Sequence, residues 1–262
     1  MNRYLSTVGL YARWNLYKIL TIILITALAA GFLVYRYPIG TVVLDENYVS
    51  AETGETTQLV ASYPKLEGVV SGSGAPVVCA AGFAAIVAVM SLTGCGYGIK
   101  TEYTIRRLRV KERQAVLLWA AYHAVLLVIY WAALAAVLYG VMHLRLQMDV
   151  PVDYFVYTYG PQSMLLLCYT DTFLHHLLPL RDVAAWGVGI ASVLAAALST
   201  VLFSYRQRRG SFSVMVLLAL AGTIGSFFCG LGENANALLM VLLLGVAGAA
   251  FVMLIGGDKD AA

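Results

Sequence analysis

Long stretches without a single charged residue alternate along this chain with shorter polar connections. Six such apolar runs stand out: Ile19–Tyr35, Pro76–Tyr97, Gln114–Met142, Val183–Tyr205, Ser213–Gly230 and Ala237–Gly256. Each approaches or exceeds the roughly 20 residues a helix needs to cross a hydrocarbon core about 30 Å thick. No water in that core can satisfy exposed N–H and C=O groups, so each run is expected to be a helix. The runs are apolar throughout and do not alternate with polar residues, which excludes a transmembrane barrel. The pattern predicts one all-α integral membrane domain over residues 1–262 with six transmembrane helices.

The connections carry their own patterns. In residues 1–18, Tyr4, Val8 and Tyr11 recur at helical spacing, with Arg3, Asn15 and Lys18 as polar positions. This predicts an amphipathic N-terminal surface helix, with Trp14 and Tyr17 at headgroup depth. A basic flank that merely fixes topology is the plainer alternative. No small-residue cleavage site follows the first run, so that run is expected to stay in the mature protein. The connection 36–75 is polar, acidic and rich in Gly and Ser, with a short strand pair expected around Thr41–Leu44 and Gln58–Ser62. In the connection 143–182, the stretch Pro161–Pro179 reads as one helix, on the outer surface or partly inserted.

Composition narrows the class. Hydrophobic residues make up 61% of the 262 positions and charged residues 12%, with mean hydropathy +0.80. That leaves too little polar surface for a cytosolic enzyme, a secreted scaffold or a nucleic-acid-binding domain. The four cysteines, Cys79, Cys95, Cys168 and Cys229, form no CxxC pair and read as small apolar packing residues.

Charge sets the expected orientation. With the N-terminus inside, 13 of the 17 basic residues fall on inner segments, and ten of the 14 acidic residues fall on outer ones. This asymmetry predicts a multi-pass protein of the cell membrane with both termini cytoplasmic.

Candidate chemistry is sparse. The runs hold almost no ionisable residues, and His123 is the clear exception; it reads as a helix–helix hydrogen bond or, alternatively, as a pathway residue. Asp171 and His175 are spaced i, i+4, but two ligands do not make a zinc site and His176 points elsewhere. They read as the solvated polar face of an interfacial helix, and no metal is expected.

The densest charged stretch lies between the second and third runs: Gly98-Ile-Lys-Thr-Glu-Tyr-Thr-Ile-Arg-Arg-Leu-Arg-Val-Lys-Glu-Arg-Gln. Ile105 and Leu108 share a face, and Glu102 can pair with Arg106, so a short amphipathic helix is expected around Thr101–Leu108. Such a helix suits docking to a cytosolic partner through Thr101, Glu102, Tyr103, Ile105, Arg106, Arg107, Leu108, Arg109 and Glu112.

The block from Gly98 to Tyr122 resembles the loop after the second span in permease subunits of ABC exporters, the six-span drug- and lipid-export class also called type V. Glu102, Thr104, Leu108, Val110 and Arg113 stand at comparable places. The resemblance implies that this loop is the coupling helix seated in a cleft of a separate P-loop ATPase. It implies that ATP and Mg bind on that partner, and that a second permease copy or a paralogue completes the transporter. The stretch Phe173–Arg181 resembles a piece of permeases from Gram-positive gut bacteria, implying a bacterial origin. The family often carries outer re-entrant helices between the fifth and sixth spans, whereas here that connection is only about Leu231–Asn236.

No P-loop is present, since Ile99 separates Gly98 from Lys100, and neither GxSxG nor HExxH occurs. Hence the chain itself is expected to perform no catalysis and to bind no cofactor. A membrane sensor or scaffold signalling through the same loop is the alternative function. A secondary transporter fits less well, for want of intramembrane carboxylates.

Overall fold

The computed structural model describes residues 3–49, 56–65, 67–93, 112–147, 150–152, 155–157, 162–180, 182–208, 210–228 and 233–256. Helix α1 (Arg3–Arg36) leads into a hairpin of β1 (Gly40–Val49) and β2 (Thr56–Lys65). A one-turn helix α2 (Val69–Gly72) precedes α3 (Ala75–Thr93). Helix α4 (Glu112–Leu146) is followed by a small hairpin of β3 (Val150–Val152) and β4 (Phe155–Tyr157). Two short helices come next, α5 (Ser163–Thr170) and α6 (Thr172–Leu177). Helices α7 (Val183–Arg208), α8 (Met215–Phe228) and α9 (Glu233–Gly256) complete the chain.

Five stretches are long and apolar enough to cross a membrane: Asn15–Arg36, Ala75–Thr93, Gln114–Leu146, Val183–Gln207 and Asn234–Gly256. The chain is thus a helical multi-pass membrane protein. The run at Ser213–Gly230 yields a shorter helix than expected. Helix α8 has 14 residues, about 21 Å of helix against a core of roughly 30 Å.

Hydrogen bonds fix the helix directions. Asn15 near the start of α1 donates through Nδ2 to Thr93 Oγ1 at the end of α3, at 2.8 Å, so these two run antiparallel. Arg145 at the end of α4 donates to Val34 O, at 3.0 Å, and to Tyr37 O at the end of α1, so α1 and α4 run parallel. Ser204 Oγ donates to Ser91 O at 2.7 Å, which makes α3 and α7 parallel. Arg206 reaches Met253 Sδ at 3.3 Å, while a Cβ on Gly187 would strike Met240. Helices α7 and α9 are therefore parallel as well, and α8 lies between them in sequence.

Two expectations need correction. The surface helix does not form a separate element, because α1 runs unbroken from Arg3 to Arg36. No proline interrupts its hydrogen-bond ladder, and Asn15, read as a polar surface position, is buried as the tie to α3. The helix expected over Pro161–Pro179 is broken at Asp171, whose backbone is extended (φ −84°, ψ 118°). The strand pair at Thr41–Leu44 and Gln58–Ser62 is present and longer, with Leu44 opposite Ala61 and Asn47 opposite Gln58.

The core of the described residues is apolar and falls into three clusters. The largest joins α1, α3 and α4, with Ile86, Met90, Leu127 and Leu138 fully buried. A second joins α4, α7 and the end of α9 around Trp119 and Leu202. The third joins α7, α8 and α9 around Ala191 and Leu243.

Candidate functional site

Three features concentrate the polar chemistry of the described residues. The first is at the end of the bundle where α1 finishes and α7 begins. Gly68 and Gly74 adopt the left-handed conformation on either side of α2, so the chain turns tightly into and out of one helical turn. Asp171 is wholly buried against that turn. Its Oδ2 accepts from Val70 N and Ser71 N at 2.9 Å and from Ser71 Oγ at 3.3 Å. Its Oδ1 accepts from Phe173 N and Leu174 N at 3.1 Å. One carboxylate therefore caps two short helices, which accounts for a fully buried acid with no cationic partner among the described residues.

This arrangement overturns the reading of Asp171 as part of a solvated polar face. A continuous helix would have pointed it outward with His175. The break turns it inward instead, and His175 Nε2 lies 4.0 Å from Asp182 Oδ2. Asp182 in turn caps α7 through Ala184 N and Ala185 N, at 2.8 and 3.1 Å. Sequence reasoning missed this site, although Asp followed by Thr-Phe-Leu is an N-cap pattern. Among the described residues no cluster of three metal-ligating side chains occurs. Nearby Cys168 is buried on α5; burial, with the charge of Asp171 adding to it, raises its thiol above the ordinary value.

The second feature lies within the membrane. His123 on α4 is fully buried, and its Nδ1 is 2.9 Å from Thr200 Oγ1 on α7. The Thr200 hydroxyl spends its proton on Ala197 O, so Nδ1 is the donor and Nε2 is left as an acceptor. Trp119 packs edge-on, with ring centroids 5.4 Å apart. One turn along α7, Ser204 bonds to Ser91 O on α3. The line ties three helices together by hydrogen bonds where lipid offers none.

The third feature is a groove of about 380 Å³ between α4 and α7, beneath the segment that follows α6. Its walls include Val128, Trp131, Trp186, Ile190 and Leu194, and His176 and Pro179 lie at one end. His176 Nδ1 is 2.8 Å from Thr172 O, and Nε2 is shielded without a partner.

Of the residues expected to contact a cytosolic partner, Thr101, Glu102, Tyr103, Ile105, Arg106, Arg107, Leu108 and Arg109 lie outside the described residues, as do Thr104 and Val110. Glu112 is the first residue of α4. Trp14 lies within α1, as does Tyr17, which is 81% exposed at the start of the spanning stretch.

Fold and sites together define a multi-pass helical membrane protein with a carboxylate-capped end and an apolar groove between α4 and α7. No family model matches the chain, and no curated protein or solved structure does.

Proposed function

We propose that this chain is the membrane subunit of an ATP-driven ABC exporter, moving an amphipathic or hydrophobic cargo out of a bacterial cell. In this reading the loop carrying Thr101–Glu112 docks a cytosolic P-loop ATPase. ATP and Mg are held by that partner, and a second permease copy or a paralogue completes the pathway. Closure of the ATPases would press on the loop and rock the bundle between two states.

The observation that carries the reading is the parallel course of α7 and α9. Parallel neighbours in sequence order require the segment between them, with α8 inside it, to return across the bundle. That supports six crossings and both termini on one side, the topology of the exporter class. The same side receives Arg13, Lys18, Arg206 and the ends of the loop between α3 and α4. Its basic character supports a cytoplasmic assignment.

The test is a pull-down of tagged protein in detergent, with and without the double charge reversal Arg106→Glu and Arg107→Glu, followed by mass spectrometry. A P-loop ATPase that co-purifies with the wild type and is lost from the variant is the expected result. Folded protein that carries no ATPase in either sample would overturn the exporter reading in favour of a sensor or scaffold.

A further inference from the structure

Histidine is the side chain whose charge ordinarily changes between about pH 5 and 8, and one of the four in this chain meets a carboxylate. His175 stands in the last turn of α6, and Asp182 directly precedes α7. His175 Nε2 lies 4.0 Å from Asp182 Oδ2. Among the described residues no other pair of side chains forms an ion pair within 4.0 Å, and this one exists only while the ring carries a proton. At that distance the contact is too long for a hydrogen bond. A charge-assisted N–H···O bond closes to about 2.7–2.9 Å, so the pair stands about 1 Å short of bonding.

The two oxygens of Asp182 have separate roles. Oδ1 accepts from Ala184 N and Ala185 N and so caps α7, whereas Oδ2 faces the ring. The side chains of His175 and Asp182 are 26% and 19% exposed. Protons from solvent therefore reach the pair, while its attraction is screened less than at an open surface.

The other groups that face His175 supply no competing partner among the described residues. Asp171, one turn back, is committed to Val70 N, Ser71 N, Ser71 Oγ, Phe173 N and Leu174 N. His176 stands edge-on with ring centroids 6.2 Å apart, and a charged His176 can only repel. Helix α5 offers the ring of Tyr169 at 6.0 Å. Helix α2 offers the uncharged Ser71. Helix α4 meets α6 through Tyr130 and Trp131, which line one cavity with Phe173, and the tyrosine hydroxyl donates to Cys79 O. Helix α8 carries no titratable residue. His175 Nδ1 is shielded without a partner, so protonation acts through Nε2 and Asp182.

We propose that His175 and Asp182 form a proton-operated clasp: acid closes it, fastening α6 to the first turn of α7, and neutral pH releases it. Asp171 already binds α6 to α2, directly ahead of α3, and α7 packs on α3, α4, α8 and α9. The clasp thus joins two parts of the bundle at the end that the basic asymmetry makes the outer one. A neighbouring carboxylate favours the charged ring, so the contribution is present on the acid side of the histidine range and is lost as the pH rises through it.

A double-mutant cycle tests the clasp. Tm is measured in detergent for the full chain, His175→Gln, Asp182→Asn and the double variant, at pH 8.0 and at pH 5.5, where ordinary carboxylates stay charged. Asparagine caps a helix as well as aspartate does, so Asp182→Asn keeps the cap of α7 and removes the charge. The coupling between the two substitutions cancels the effect of every other titrating group. It should be near zero at pH 8.0 and about 1–4 °C at pH 5.5. Asp182→Ser, a second neutral cap, should give the same answer, and His176→Gln in every member of the cycle should leave the acid coupling in place. Coupling of one size at both pH values would show a contact that no proton operates. Absence of coupling at pH 5.5 would show that no clasp forms, and either result overturns the proposal. No ATPase enters these measurements, so failure here and failure of the exporter reading are separable.

Discussion

The carboxylate of Asp171 accepts the amide of Val70 at 2.9 Å, although the two residues are 101 positions apart. The same side chain holds Ser71, Phe173 and Leu174. Replacing it by alanine strands four backbone donors at once, and each buried unsatisfied donor costs about 1–3 kcal/mol. Asp171→Ala is therefore expected to destabilise the fold by at least about 3 kcal/mol, visible as a lower Tm in detergent. Asp171→Asn, whose Nδ2 cannot accept, should fall between the two. An unchanged Tm for the alanine variant would refute the capping role.

At Gly82, α1 and α3 approach closely. A Cβ there would sit 2.9 Å from Thr26 Cβ and closer still to Thr26 Oγ1 and Cγ2. No χ1 rotation moves the Thr26 Cβ itself, so Gly82→Ala must push the helices apart, at about 1–3 kcal/mol. At Gly187 the obstacle is Met240, which can swing aside. Gly187→Ala is expected to cost less than Gly82→Ala. Thermal unfolding of the pair checks the order, and equal losses would contradict it.

Single cysteines placed at Ser211 and at Asn234 bracket α8. In a background whose native cysteines are replaced, an impermeant maleimide added to intact cells should label one of them and not the other. Ser6→Cys should behave like Ser211→Cys. Labelling of Ser211→Cys and Asn234→Cys from the same side would show that this segment does not cross.

With the other three cysteines replaced, Cys168 offers a pH test. Its thiol is raised by burial and by Asp171, so at pH 8 it carries less thiolate than an exposed cysteine. Alkylation should be slow there and accelerate only as the pH climbs past the ordinary thiol range. The chain unfolded in denaturant should lose that displacement. A native profile coinciding with the unfolded one would disprove it.

The apolar runs were readable because lipid imposes the same demand on every spanning segment. Ile19–Tyr35 and Val183–Tyr205 accordingly fall within α1 and α7. The hairpin was partly readable from the β-branched run at Thr41–Leu44. Its extension through Asp45–Val49 was not, since main-chain pairing there runs on through polar residues without an alternating pattern. Asp171 escaped because a helical period was carried straight through it. One extended residue reverses which side such a period presents, and periodicity alone carries no sign of that break. The groove could not be read at all: Trp131, His176 and Trp186 belong to three separate elements, and only packing brings them to one cavity.

Helix α4 has 35 residues, about 52 Å of rod, and no proline to soften it. Its first residue follows the basic loop, and near its far end Arg145 grips the last carbonyls of α1 just before the β1–β2 hairpin. A rod so held does not absorb a push at its base by buckling. In the proposed exporter, a push at its base would pivot the rod and arrive at the opposite rim as leverage on that hairpin.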